Sequence, residues 1–129
     1  MPDRSTKPPE KPIHWVGSSK RDLLSFPKQV ISDMGYALGL VQLGGKPPEA
    51  KPWKGQGSGV FELVERHEGD AYRAVYTVRF EAAIYVLHAF QKKSPKGIRT
   101  DQRDVDLVAQ RLRLAQEDYE RDYGKRRIK

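Results

Sequence analysis

VFELVERHEGDAYRAVYTVRFEAAIYVLHAFQKK, residues 60–93, contains three strand-like runs separated by two short breaks. The runs cover residues 60–66, 71–80 and 83–93. Each is rich in the β-branched and aromatic side chains that suit a pleated, half-buried surface. His67-Glu68-Gly69-Asp70 reads as a turn, with Gly69 supplying the conformational freedom a tight reversal needs. Glu81-Ala82 reads as a second tight connection. The stretch therefore predicts an antiparallel meander.

Working outward, Ile13-His14-Trp15-Val16 reads as a short first strand ended by Gly17 and Ser18. Ser18 or Ser19 can cap a short helix carrying Leu23, Leu24 and Phe26. Pro27 suits the start of a second helix, along which Val30 or Ile31, Met34, Leu38 and Val41 form one apolar stripe until Gly44-Gly45 stops it. Residues 44–59 form a Gly-, Pro- and Lys-rich loop with Trp53 among Lys46, Lys51 and Lys54. After the meander, Thr100 or Asp101 can cap a last helix. Its stripe is Val105, Val108, Leu112, Ala115 and Tyr119, and Gly124 is its stop.

The expected fold class is α+β, in the order β-α-α-β-β-β-α. It has a small antiparallel sheet of about four strands, an N-terminal helical hairpin and a C-terminal helix. Helices cover one face of the sheet and leave the other partly open. Residues 1–12, with four prolines, read as a disordered tail, residues 13–124 as the domain, and residues 125–129 as a basic C-terminal tail.

With 129 residues, 37% hydrophobic and 32% charged, the chain is sized for one core. A net charge of +7 makes a polyanion, nucleic acid first, a natural partner. The absence of cysteine excludes disulfides, thiolate nucleophiles and cysteine zinc sites. Three scattered histidines give no metal-ligand spacing, so neither metal nor cofactor is expected. No apolar run approaches a membrane span and no secretory signal opens the chain, so the expected location is cytoplasmic, with no membrane partner.

The cations are unevenly placed. No carboxylate lies between Glu81 and Asp101, while Lys92, Lys93, Lys96 and Arg99 fall within that interval. Lys51 and Lys54 form a second cluster just before the meander. Arg73 sits inside a largely apolar strand, where an unpartnered guanidinium is costly. Either Glu62 or Glu65 pairs with it, or it faces an open surface awaiting phosphate. If the two lysine loops meet at one end of the sheet, they form a cationic cleft with Arg73 at its floor. The lysines have a plainer reading as solvated strand-end charges. His88 is read as a packed core histidine, with a catalytic base as the alternative. His67 is read as solvent-exposed in its turn, and His14 shows no evident partner. Trp53 either stacks on a base or pins its loop to the core.

Gly-Val-Phe-Glu-Leu (59–63), Tyr-Arg-Ala-Val-Tyr (72–76) and Val-Leu-His-Ala-Phe-Gln-Lys-Lys (86–93), with a helix behind, resemble the RelE/ParE toxin superfamily, in particular its phage-related, HigB-like branch. The resemblance covers roughly residues 13–120. It implies the toxin of a type II toxin–antitoxin pair: a metal-independent, ribosome-dependent mRNA endoribonuclease that uses the ribose 2′-OH as nucleophile. Arg73 corresponds to the arginine of the second motif, and Lys92 and Lys93 to its closing cationic pair; these three are the implied catalytic residues. Lys51, Lys54, Arg66, Lys96 and Arg99 are the candidate RNA-binding cations. Val64 stands where the family often has an arginine, with Arg66 two positions on. Tyr119 and Tyr123 are available where some members place a Tyr or His over the site, and the general base is unassigned. The implied partners are a helix-turn-helix antitoxin, mRNA on the ribosome, and operator DNA through the antitoxin. The superfamily leaves two alternatives: a ParE-like gyrase inhibitor that cuts nothing, and a catalytically decayed phage-derived nucleic-acid-binding protein.

Overall fold

A computed structural model describes residues 10–92 and 100–124. The elements run β1 (Ile13–Trp15), α1 (Ser19–Leu24), α2 (Lys28–Gln42), β2 (Ala50–Pro52), β3 (Val60–His67), β4 (Asp70–Thr77), β5 (Ile84–Lys92) and α3 (Gln102–Tyr123). The α+β class and the expected element order hold, with one strand added. The added strand is β2, a three-residue edge inside the Gly-, Pro- and Lys-rich loop. It is short and ends in proline, both tolerable only at a sheet edge. The sheet has five strands in the order β1-β5-β4-β3-β2. It is mixed rather than wholly antiparallel, because β1 runs parallel to β5. Lys11 N–H donates to the Gln42 carbonyl and the Pro12 carbonyl accepts from Ile84, so the chain is tied down before β1 begins.

The β3–β4 hairpin turns on Glu68 (φ 51°) and Gly69 (φ 87°). Two successive positive φ values match the right-handed twist of the flanking strands and fix the register. His67 faces Asp70, Val64 faces Arg73, and Val60 faces Thr77. The connection from β4 to β5 spans residues 78–83, longer than the tight link expected.

Helices cover both faces of the sheet, where one open face was expected. On one face, α1 and α2 bury Leu23, Val30, Met34, Leu38 and Val41 against Leu63, Tyr76 and Val86. On the other, α3 buries Val108, Leu112 and Ala115 against Val75, Tyr85 and Leu87. No helix among the described residues is long and apolar enough to cross a membrane.

A bulge in β5 decides which side chains reach which face. Tyr76 faces Val86 and Val75 faces His88, leaving Leu87 unpaired in the ladder. One extra residue reverses the alternation beyond it. Ile84 and Val86 belong to the α1/α2 core, but Ala89, not His88, continues that face. His88, Phe90 and Lys92 are turned toward the α3 side. The sequence-based alternation, which kept Ile84, Val86, His88, Phe90 and Lys92 together, fails at this point.

Arg111 of α3 holds the bulge. Its Nη1 donates to the Leu87 carbonyl at 2.9 Å and its Nη2 to Ser18 Oγ at 3.1 Å. Gly17, at φ 58°, lets the backbone pass the guanidinium, since a Cβ there would lie 2.9 Å from it. Leu87 is fully buried, so its carbonyl has no recourse to solvent. Arg111→Met is expected to cost about 1–3 kcal/mol through that orphaned acceptor. Thermal unfolding should register a fall of several degrees, and an unchanged midpoint would show that the bulge holds itself.

Candidate nucleic-acid interface

Cross-strand register builds three rows of side chains on the α3 face. Lys51, Glu62, Val75 and His88 form the first row, Val64, Arg73 and Phe90 the second, and Arg66, Ala71 and Lys92 the third. Successive rows are about 7 Å apart, two residues along a strand. The first turn of α3 reaches the first row, where Asp104 meets His88. In the third row Arg66 is exposed and Lys92 is half-buried.

Arg73 does not point free into a cleft. Its Nη1 donates to Glu62 Oε1 at 2.6 Å, and the two side chains are 17% and 14% exposed. Of the two carboxylates that could pair with it, Glu62 is the one on its face. Glu65 faces Tyr72 on the opposite side. Arg73 Nε is buried with no partner among the described residues, so part of its donor set is unspent. Lys92 completes a diagonal. Burial and the Arg73 guanidinium hold its ammonium below the ordinary lysine value, with Glu62 pulling the other way. A carboxylate on β3, a guanidinium on β4 and a softened ammonium on β5 thus lie in one line across the sheet.

His88 is buried, as the sequence suggested, but it is not an apolar-core histidine. Its Nε2 donates to Asp104 Oδ1 at 2.7 Å, its ring stacks on Phe90 at 4.6 Å, and its Nδ1 has no partner among the described residues. This pair fastens the start of α3 to the sheet. Asp101 caps the same helix by accepting from the Arg103 N–H.

The remaining sequence-derived candidates divide. Lys51 and Lys54 are both exposed and line one cavity of about 470 Å³ with Glu62, Trp53, Thr100 and Val105. The β2 segment therefore meets the start of α3, while the other lysine cluster, beyond Lys92, lies outside the described residues. Arg66 stands in the third row, with Ala71 of β4 between it and Lys92. Lys93, Lys96 and Arg99 lie outside the described residues. Trp53 is 5% exposed within the α3-side core, so it pins its loop. Tyr119 and Tyr123 are at the far end of β5. The Tyr119 hydroxyl accepts from Ala82 N–H, and the Tyr123 hydroxyl lies 2.8 Å from His14 Nε2, which supplies the partner the sequence did not reveal. His67 lies at the hairpin tip, 3.7 Å from the Glu68 carboxylate. Among the described residues, no group of three or more His, Asp or Glu side chains is placed to hold a metal ion.

Glu62 and Asp104 are the residues that sequence reasoning did not place in the site. Glu62 was within reach, because counting outward from the Glu68-Gly69 turn sets it diagonal to Arg73. Asp104 was not, since it meets His88 only through the bulge.

The family model described as "Phage derived protein Gp49-like" matches residues 21–113. The chain belongs to this family. The resemblance to the RelE/ParE toxin superfamily, and to a phage-related branch of it, is thereby borne out for this Gp49-like chain. Among solved structures the chain is similar to the toxin–antitoxin complex RelBE2 from Mycobacterium tuberculosis, with a TM-score of 0.45 and 20% sequence identity, covering 64% of this chain and 99% of that chain. No curated protein matches the sequence.

The crowding of Arg73 and Lys92 has a measurable cost. A lysine whose folded value is depressed binds fewer protons in the folded than in the unfolded protein between the two values. Stability therefore rises with pH across that window, and the charged lysine works against the fold at neutral pH. Lys92→Met is expected to raise the melting temperature by roughly a degree or two at low salt, with the gain shrinking at high salt. A fall in stability would show that Lys92 is held by attraction instead.

Proposed function

We propose that this Gp49-like chain is the toxin of a type II toxin–antitoxin pair and cleaves mRNA on the ribosome. The observation that carries this reading is the Glu62–Arg73–Lys92 diagonal across the α3 face of the sheet. Cleavage by a ribose 2′-OH needs three things in line: a base at the 2′ oxygen, positive charge at the phosphorane, and an acid at the departing 5′ oxygen. Glu62 takes the 2′-OH proton as that oxygen attacks phosphorus. Arg73, released from its bond to Glu62 and with its Nε unspent, clamps the phosphate. Lys92, with its lowered affinity for its proton, delivers a proton to the 5′ oxygen as the P–O5′ bond breaks. The products are a 2′,3′-cyclic phosphate and a 5′-hydroxyl. Arg66 positions the strand through its phosphates, Lys51 and Lys54 contact the RNA from the β2 side, and Lys93, Lys96 and Arg99 are proposed to join them. His88 and Asp104 are positioning residues that keep β5 and α3 in place beneath the diagonal.

The same surface suits the acidic segment of an antitoxin, proposed here to be a helix-turn-helix protein that carries the complex to operator DNA. A HigB-like affiliation is part of this reading.

Induced expression in a bacterial host, with primer extension on a reporter mRNA, tests it. The wild type should arrest growth with codon-phased cuts. Glu62→Gln and Arg73→Ala should each reduce cleavage about 10²- to 10³-fold while still expressing folded protein. Arrest with intact mRNA would favour the gyrase-inhibitor reading, and no arrest a decayed, purely binding protein.

A further inference from the structure

The cavity beside Glu62 has no occupant in the cleavage scheme above. Its volume is about 470 Å³, within the range of small-ligand pockets. Its walls differ in character. Trp53 and Val105 supply apolar surface, and Trp53 is fixed in the core. Lys51, Lys54 and Thr100 supply polar groups, while Glu62 is shared with the diagonal.

Its position matters more than its size. Lys51 is the register partner of Glu62, so the cavity lies on the β2 side of Glu62, away from Arg73 on β4. The order across the sheet is cavity, Glu62, Arg73, Lys92. A ribonucleotide has the matching order of parts: base, ribose 2′-OH, 3′-phosphate, and the next 5′ oxygen. With its 2′-OH at Glu62 and its 3′-phosphate at Arg73, the base attached to that ribose is directed toward β2.

We infer that this cavity is a nucleobase pocket that receives the base on the 5′ side of the scissile phosphate, and that its preferred occupant is guanine. The inference rests on the nuclease reading above and deepens it. The two ammonium donors among the lining residues match the O6 and N7 acceptors that guanine presents side by side, whereas adenine and cytosine set an amino donor at the corresponding edge. Trp53 and Val105 offer apolar surface to the flat base, and Thr100 accommodates either a donor or an acceptor.

Binding of nucleoside 3′-monophosphates to the full chain tests this independently of cleavage. Guanosine, adenosine, cytidine and uridine 3′-monophosphates and inorganic phosphate are titrated, with amide chemical shifts as the readout. The 3′-guanylate is expected to bind at least about tenfold more tightly than the other nucleotides or inorganic phosphate, with shifts at β2 and the start of α3. Lys54→Ala should lose most of that preference while still binding inorganic phosphate. Val105→Phe, which fills the cavity, should do the same, and Lys54→Ala decides the matter if Val105→Phe does not fold. Nucleotides binding no better than inorganic phosphate would overturn the pocket and leave the phosphate site standing. Equal affinity for all four bases would overturn the guanine preference, and a preference surviving in Lys54→Ala would place recognition elsewhere. Absence of phosphate binding altogether would remove the nuclease reading and the pocket with it.

Discussion

The geometry of this fold turns on one unpaired residue in its central hydrophobic strand. β5 is bordered by β1 and β4 and buried on both faces, so a regular alternation would have carried His88, Phe90 and Lys92 to the α1/α2 side. The extra residue at Leu87 turns them to the other side. Its stranded carbonyl is stabilised by the Arg111 guanidinium, which also reaches Ser18 near the start of the chain. One cation thus ties the last helix, the central strand and the first turn together. The cross-strand diagonal at Arg73 depends on that tie, because Lys92 shares a face with Arg73 only after the reversal.

The diagonal is also a place where stability is given up. Arg73 and Lys92 repel each other, and among the described residues Glu62 is the carboxylate that offsets them. Glu62 is committed to Arg73 by a short, half-shielded ion pair. A partly buried pair of this kind is modest support for a fold, because desolvation offsets much of its attraction. It is well suited to a site that exchanges one partner for another. In the proposed reaction, an approaching phosphate offers Arg73 a second anion and leaves the Glu62 carboxylate able to accept a proton. The His88–Asp104 pair nearby has a different task, fixing the N-terminal turn of α3 against the sheet.

Much of this was legible before the structure. The three runs of the meander, the helical stripes, Gly69 at the turn and the Asp101 cap follow from local rules of periodicity, φ and hydrogen bonding, which act over a few residues. The candidate cations Arg73, Lys92, Lys51 and Lys54 were legible as unpaired charge, and Glu62 as one of two possible partners. The parallel pairing of β1 with β5 was not, because it joins residues some seventy positions apart and carries no local mark. Nor was β2, which is too short to show a period. The bulge was the costliest omission. A strand apolar on both sides shows no alternation to break, so the reversal at Leu87, and with it the Asp104 contact of His88, leaves no signature in sequence.

The central claim is that the side chains on one diagonal of the sheet transfer protons to and from the two oxygens of a phosphodiester. The end groups of RNA cleaved by the purified protein on programmed ribosomes test it most directly. A 2′,3′-cyclic phosphate upstream and a 5′-hydroxyl downstream is the result the Glu62–Arg73–Lys92 arrangement requires, since attack comes from the neighbouring 2′-OH. Ends bearing a 5′-phosphate and a 3′-hydroxyl, or RNA left intact by folded protein, would contradict it.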